Sequence, residues 1–214
     1  MQTGERTRRR EAARRDLTET AIDCFSRYGY QGTSIDRIAK DAGVTKGAIY
    51  YHFRDKDDLL AAAVLDRIGE FETRVQNACG SVDAAEGLSR IAAVCIEHAR
   101  SGDRPRFAIK LMVESIDTHD HLREQMRGMM RRFRAFLRNI VRAGQEQGIF
   151  RSDVDADVVA AAYTSAVIGA ETQFYLDPDR FSLERTLETF LEQLLDNLRA
   201  DGGAHSQDKG DRRD

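Results

Sequence analysis

Apolar residues recur at spacings of three and four along almost the whole chain, which is the period of a helix buried on one side. Ala13, Leu17, Ala21, Cys24, Phe25 and Tyr28 share one face of a first helix that Gly29 ends. Ile35, Ile38, Ala39 and Ala42 mark a short second helix, capped by Thr33 or Ser34 and closed by Gly43. Thr45 caps a third, whose inner face is Ala48, Ile49 and Phe53. Asp55, with Asp58 three residues on, opens a long fourth helix through Leu60, Val64, Ile68, Phe71 and Val75 to Gly80. Further helices are predicted from Asp83 to Arg100 and from Arg106 to Ile116. A third begins near Leu122 and ends near Gly148, a fourth runs from the Asp155 cap towards Pro178, and a last one spans Ser182 to Leu198. The expected fold is therefore all-α, with about nine helices. The polar, glycine-rich stretch 201–214 is expected to be disordered.

Composition agrees. Two prolines in 214 residues leave long helices uninterrupted. No apolar run approaches the length of a membrane span, and the arginine-rich start lacks the apolar segment of a secretory signal, so a cytoplasmic protein with no membrane partner is expected. Cys24, Cys79 and Cys95 are odd in number, widely spaced and set among apolar residues. They read as buried packing rather than disulfides or zinc ligands. The net charge of −3 conceals an asymmetry: residues 1–56 carry 12 Lys and Arg against 8 Asp and Glu, the remainder 21 against 28. A positive lobe on a negative body points that lobe at a polyanion.

Two short helices joined by a glycine turn describe a helix-turn-helix, in which the second helix places its first residues at base edges in the DNA major groove. Here those residues are Thr45, Lys46, Gly47 and Ala48. The small pair lets the helix sit deep, and Lys46 can reach a guanine edge or a phosphate. The run from Tyr30 to Leu60, with Gly32-Thr33-Ser34-Ile35-Asp36-Arg37-Ile38-Ala39 followed by Thr45-Lys46-Gly47-Ala48-Ile49-Tyr50-Tyr51-His52-Phe53, closely resembles the TetR family of transcriptional regulators. That resemblance implies phosphate contacts from Tyr50 and His52, a variable helical body, and dimerisation through the last two long helices. Tyr51 lies on the same rim, while Thr33, Ser34 and Lys56 sit at helix N-termini where an anion is favoured. Arg6 to Arg15 are placed to track an adjacent groove. The expected organisation is a DNA-binding domain at 1–56, a ligand-binding and dimerisation domain at 57–200, and the tail.

A sensor body needs an apolar cavity with a few polar anchors. Candidate effector contacts are His98, Phe107, Met112, Met126, Met130, Phe133, Tyr163 and Gln173, with Met129, Phe136 and Glu114 as further possibilities. For each apolar one, ordinary core is the plainer reading. Candidate dimer contacts are Val159, Ala162, Ala166, Gly169, Ala170 and Gln173 on the eighth helix and Leu187, Leu191, Leu194 and Leu195 on the ninth. Arg123, Arg127, Arg131, Arg134, Arg138 and Arg142 form a basic face, read either as a solvated face paired with acids or as an anion site for an acyl-CoA effector. No G-x-S-x-G, phosphate-binding loop or dinucleotide fingerprint occurs, so no enzyme and no cofactor are expected. His119 and His121 on either side of Asp120 point apart on a helix, which argues against a metal, and only a loop conformation there leaves a metal site open. The expected function is a dimeric repressor released from a palindromic operator by a small, largely apolar effector. An activator or signal receptor of the same fold, and a ligand-independent DNA-binding scaffold, remain alternatives.

Overall fold

The computed structural model describes residues 2–80, 82–101, 106–117 and 120–200. Its helices among these residues are α1 (Gln2–Tyr28), α2 (Ile35–Asp41), α3 (Lys46–His52), α4 (Lys56–Cys79), α5 (Ala84–Arg100), α6 (Arg106–Asp117), α7 (Asp120–Glu146), α8 (Ala156–Leu176) and α9 (Leu183–Leu198). Most boundaries are set by local chemistry. Ser34, Thr45, Asp55, Asp83, Asp155 and Ser182 each accept a backbone N–H from the first turn they precede. A cap of this kind contributes about 1 kcal/mol. Gly43 turns the chain between α2 and α3 at φ 66°, a left-handed conformation that costs glycine nothing.

Two features differ from the sequence reading. The arginine-rich lead-in is itself part of α1, which is helical from Gln2, well before the apolar face that begins at Ala13. Cys24 and Cys95 are buried, whereas Cys79 is half-buried with its Sγ donating to the Gly87 carbonyl. The stretch 201–214 and His119 lie outside the described residues, as does the His121 side chain.

Two apolar cores hold the fold. The first joins Phe25 of α1, Ile38 of α2, Ile49 of α3 and Leu60 of α4 with Phe107 and Leu111 of α6 and Leu122 and Met126 of α7. It therefore continues from the helix-turn-helix into the body. The second joins α5, α7, α8 and α9 around Leu88, Ile91, Leu137, Val141, Tyr163, Leu187 and Leu198. Gly144 is required there, because a Cβ would come within 2.3 Å of the Phe150 ring and 2.8 Å of Ala84. α4 contributes to both cores and is the rod between them.

Candidate DNA interface and effector cavity

α3 buries Ile49 against the first core and turns its other side outward. Val44, Thr45, Lys46 and Gly47 are all exposed, and Tyr50 and Tyr51 expose more than half of their surface. Thr45 Oγ1 accepts the Ala48 N–H at 3.3 Å. Lys46 Nζ makes an exposed ion pair with Asp36 at 2.6 Å, a contact that solvent screens and a phosphate can displace. At Gly47 a Cβ would meet only Thr45 Oγ1, at 3.7 Å, so nothing inside the chain requires glycine. Ser34 is exposed at the start of α2.

Arg10 and Arg14 lie over the rings of Tyr51 and Phe53, at 5.4 and 4.9 Å. α1 thus brings two cations to the edge of the recognition helix, within cation–π reach. His52 packs edge-on to Tyr51, and burial, with Arg10 and Arg14 nearby, pushes its pKa down. Both effects disfavour the protonated ring.

The structure corrects two of the expected phosphate ligands. Thr33 is buried, and its Oγ1 donates to the carbonyls of Gly29 and Cys24. Lys56 turns inward: Nζ donates to the carbonyls of Tyr30 and Thr33 at 3.0 and 3.1 Å and lies 3.9 Å from the centre of the Tyr30 ring. Both residues satisfy carbonyls of the loop between α1 and α2, and a buried backbone acceptor outranks a solvated phosphate.

In the body, helices α4 to α8 enclose a cavity of about 430 Å³. Phe71, Phe107, Phe133 and Phe136 and Met112, Met126, Met129 and Met130 line it, together with His98, so most of the expected effector residues meet there. Burial, with Arg74 and Arg67 nearby, lowers His98 to about 4 and keeps its ring neutral against Phe71. Three expected anchors do not belong to the cavity. Tyr163 is buried in the second core with its hydroxyl donating to the Leu88 carbonyl. Gln173 lies on the exposed side of α8 and donates to the Gly169 carbonyl. Glu114 faces the DNA-binding lobe, where it accepts the backbone N–H groups of Tyr30 and Gln31.

One lining residue, Glu171, is missing from the sequence reading. It is the only charged side chain between residues 158 and 176, and that isolation was the available signal. Burial pushes its carboxyl up to about 8.

A second depression, of about 610 Å³, lies against the first. The two share Ile109, Met112, Met126, Met130 and Ile168 as a common wall, while Arg123, Arg127, Arg131 and Arg134 border the outer one. The basic face is therefore divided. Arg138 and Arg142 pair with Asp157, as a solvated face would. Arg127 and Arg131 share the single acid Glu124, and Arg134 has no ion pair among the described residues, so positive charge is in excess around the outer depression. Elsewhere, Glu19, Asp66 and Glu70 come close enough to share a cation, but Arg67 already pairs with Glu19 and Glu70.

Val158, Ala162, Ala166, Gly169, Gln173 and Leu176 form a mostly uncharged outward stripe on α8, with Val159 half-buried beside it. Among the expected dimer contacts, Ala170, Leu187 and Leu191 instead face inward and are buried within the chain, because α8 and α9 each spend one apolar face on the second core. Leu194 and Leu195 are half-buried.

A helix-turn-helix with one exposed helix, joined by the long α4 to a cavity-bearing helical body, is the architecture of a DNA-binding regulator. Residues 17–63 match the family described as "Bacterial regulatory proteins, tetR family". Residues 87–190 match the family described as "Tetracyclin repressor-like, C-terminal domain". The chain is 29% identical to the transcriptional regulator TtgR of Pseudomonas putida, over 88% of this chain and 92% of that one. A TetR transcriptional regulator from Chloroflexus aurantiacus superimposes with a TM-score of 0.83 at 25% identity, covering 90% of this chain and 99% of the other. The regulator FadR from Bacillus subtilis, solved in complex with stearoyl-CoA, superimposes with a TM-score of 0.74 at 20% identity, covering 86% and 98%. The chain belongs to the TetR family: it is a DNA-binding transcriptional regulator of the repressor type.

Proposed function

We propose that the protein is a cytoplasmic, non-catalytic homodimeric repressor of a palindromic operator, released by an amphiphile with an apolar portion and an anionic head. Residues 1–56 serve as the DNA-binding domain and 57–200 as the sensor and dimer domain. The observation that carries the effector reading is the wall of five side chains common to the apolar cavity and the arginine-bordered depression. Three of the five are methionine, which changes shape at little cost, so a long molecule can lie across both spaces. Its apolar part loses water in the inner cavity, where burial is worth roughly 25 cal/mol per Å². Its anion meets Arg123, Arg127, Arg131 and Arg134. An acyl-CoA has this form, and a fatty acid lacks the phosphates. The stearoyl-CoA bound by the Bacillus subtilis regulator is a ligand of the same class.

The dimer reading rests on the outward stripe of α8. Its residues are small or uncharged, Val158 and Leu176 are 63% and 81% exposed, and a Cβ at Gly169 would meet nothing. Two recognition helices must then sit about 34 Å apart, one turn of DNA, to read both half-sites.

Thermal-shift titration with a matched acyl-CoA and free fatty acid tests the effector class. The acyl-CoA is expected to raise the unfolding temperature and release operator DNA, and the free acid to do so far more weakly; equal responses reject the anion site. On DNA, affinity is expected to fall steeply with salt as neutralised phosphates release counterions. Light scattering reports the dimer.

A further inference from the structure

The inner cavity has a carboxyl on the α8 side of its wall. Glu171 lines the cavity from α8 and makes no hydrogen bond or ion pair among the described residues. The other charged groups on the same wall have ion-pair partners: Arg67 pairs with Glu19 and Glu70 through its Nη atoms, its Nε being buried without a partner among the described residues, and Arg132 pairs with Glu72. His98 packs at a tilt against Phe71, and its Nδ1 lies 3.3 Å from Arg74 Nη1. One turn along α8, the Tyr175 hydroxyl is also buried without a hydrogen bond among the described residues, and Arg106 covers its ring.

A plain hydrocarbon packed against Glu171 would leave the carboxyl without water and without a partner, at a cost that the phenylalanines and methionines around it do not offset. A ligand oxygen removes that cost. A site built around a polar group rejects the analogue that lacks the matching one more strongly than an apolar wall rejects an extra methylene.

From this geometry we infer that Glu171 is the specificity-determining residue of the cavity, selecting an effector whose apolar portion carries a hydroxyl or keto oxygen. This deepens the effector reading above and rests on it for the anionic end only. The carboxyl is raised to about 8 and so is protonated at neutral pH, able both to donate to and to accept from such an oxygen.

Naphthalene and 2-naphthol form a matched pair of probes with no anionic head, so their outcome is independent of whether acyl-CoAs bind. Calorimetric or thermal-shift titration of the full chain, corrected for each probe's partition from water, is expected to favour 2-naphthol by about tenfold, the equivalent of one good buried hydrogen bond. Glu171→Leu is expected to abolish or reverse that preference while binding naphthalene at least as well. Glu171→Gln, which keeps a donor and an acceptor, is expected to preserve it, and Tyr175→Phe is expected to leave it unchanged. An unchanged preference in Glu171→Leu overturns the proposal, as does binding of neither probe to the wild type. Tighter binding of 1-naphthylmethylamine than of 2-naphthol overturns it in favour of a counter-ion for a cation. If the leucine variant fails to fold, seen by circular dichroism, the wild-type preference and the glutamine variant decide.

Discussion

Glu114 Oε2 accepts the backbone N–H of Tyr30 at 2.9 Å, while its Oε1 accepts that of Gln31 at 2.8 Å. These bonds tie α6, whose Phe107, Ile109, Leu111 and Met112 wall the inner cavity, to the loop that leads from α1 into the helix-turn-helix. Lys110, one turn before Glu114, donates to the Ser26 carbonyl of α1. A ligand that displaces α6 therefore strains contacts with the DNA-binding lobe directly, beside the route through the long α4. Ligand and DNA then oppose one another through the difference in their affinities for two arrangements of the same lobe.

Glu114→Ala removes both acceptors from a pair of backbone donors. The expected result is a loss of stability of about 1–3 kcal/mol in denaturant unfolding, and a smaller change in operator affinity on adding effector. Glu114→Gln keeps one acceptor oxygen and is expected to fall between the two. An effector response identical to wild type in the alanine variant would show that α4 alone carries the coupling.

Gly47→Ala separates folding from recognition. Nothing in the chain obstructs the new methyl, and alanine favours a helix over glycine by roughly 0.5–1 kcal/mol. The unfolding temperature is expected to hold or rise slightly, while operator affinity measured by fluorescence anisotropy falls. Unchanged DNA binding would place the groove contact elsewhere on α3.

Lys56→Met and Thr33→Val test the two corrected assignments. Both lose hydrogen bonds to the carbonyls of the loop after α1. Each is expected to lose stability by about 1–2 kcal/mol, with the slope of log affinity against log salt close to wild type. A slope reduced by about one in the methionine variant would return Lys56 to the phosphate contacts. Lys46→Ala, by contrast, is expected to reduce that slope and change sequence preference.

Two cavity groups predict how stability follows pH. Glu171 is raised from 4.5 to about 8, so the folded state retains a proton that the unfolded chain releases between these values, and its contribution declines as pH rises through them. His98 is lowered from 6.5 to about 4, so the unfolded chain takes up a proton that the folded state refuses, and stability is lost as pH falls from 6.5 towards 4. Between 4.5 and 6.5 the two oppose each other; from 6.5 to 8 only Glu171 of this pair acts. The unfolding temperature is expected to decline across the upper window in wild type and to stay nearly level in Glu171→Gln. A parallel decline in both would assign the pH dependence to other groups.

Helix positions and the exposed face of α3 were legible in the chain because both are local. The caps Ser34, Thr45, Asp55, Asp83, Asp155 and Ser182 act on backbone within three residues of themselves, and the exposed side of α3 follows from which of its residues Ile49 and Phe53 take inward. The methionine and phenylalanine stripe was legible for the same reason, since period and composition suffice to mark an apolar face.

Partnership across the fold was decided only by the tertiary structure. Thr33 and Lys56 have the residue type of phosphate ligands and Glu114 and Tyr163 that of effector anchors, yet each bonds a backbone group of another segment. Leu187 and Leu191 have the period of a dimer seam and spend it on their own core. The division of the arginine face between Asp157 and the outer depression likewise needed α7 and α8 in place. The physical reason is that sequence spacing fixes which side chains share a face, whereas a hydrogen bond, an ion pair or a buried contact depends on what other part of the chain arrives opposite that face.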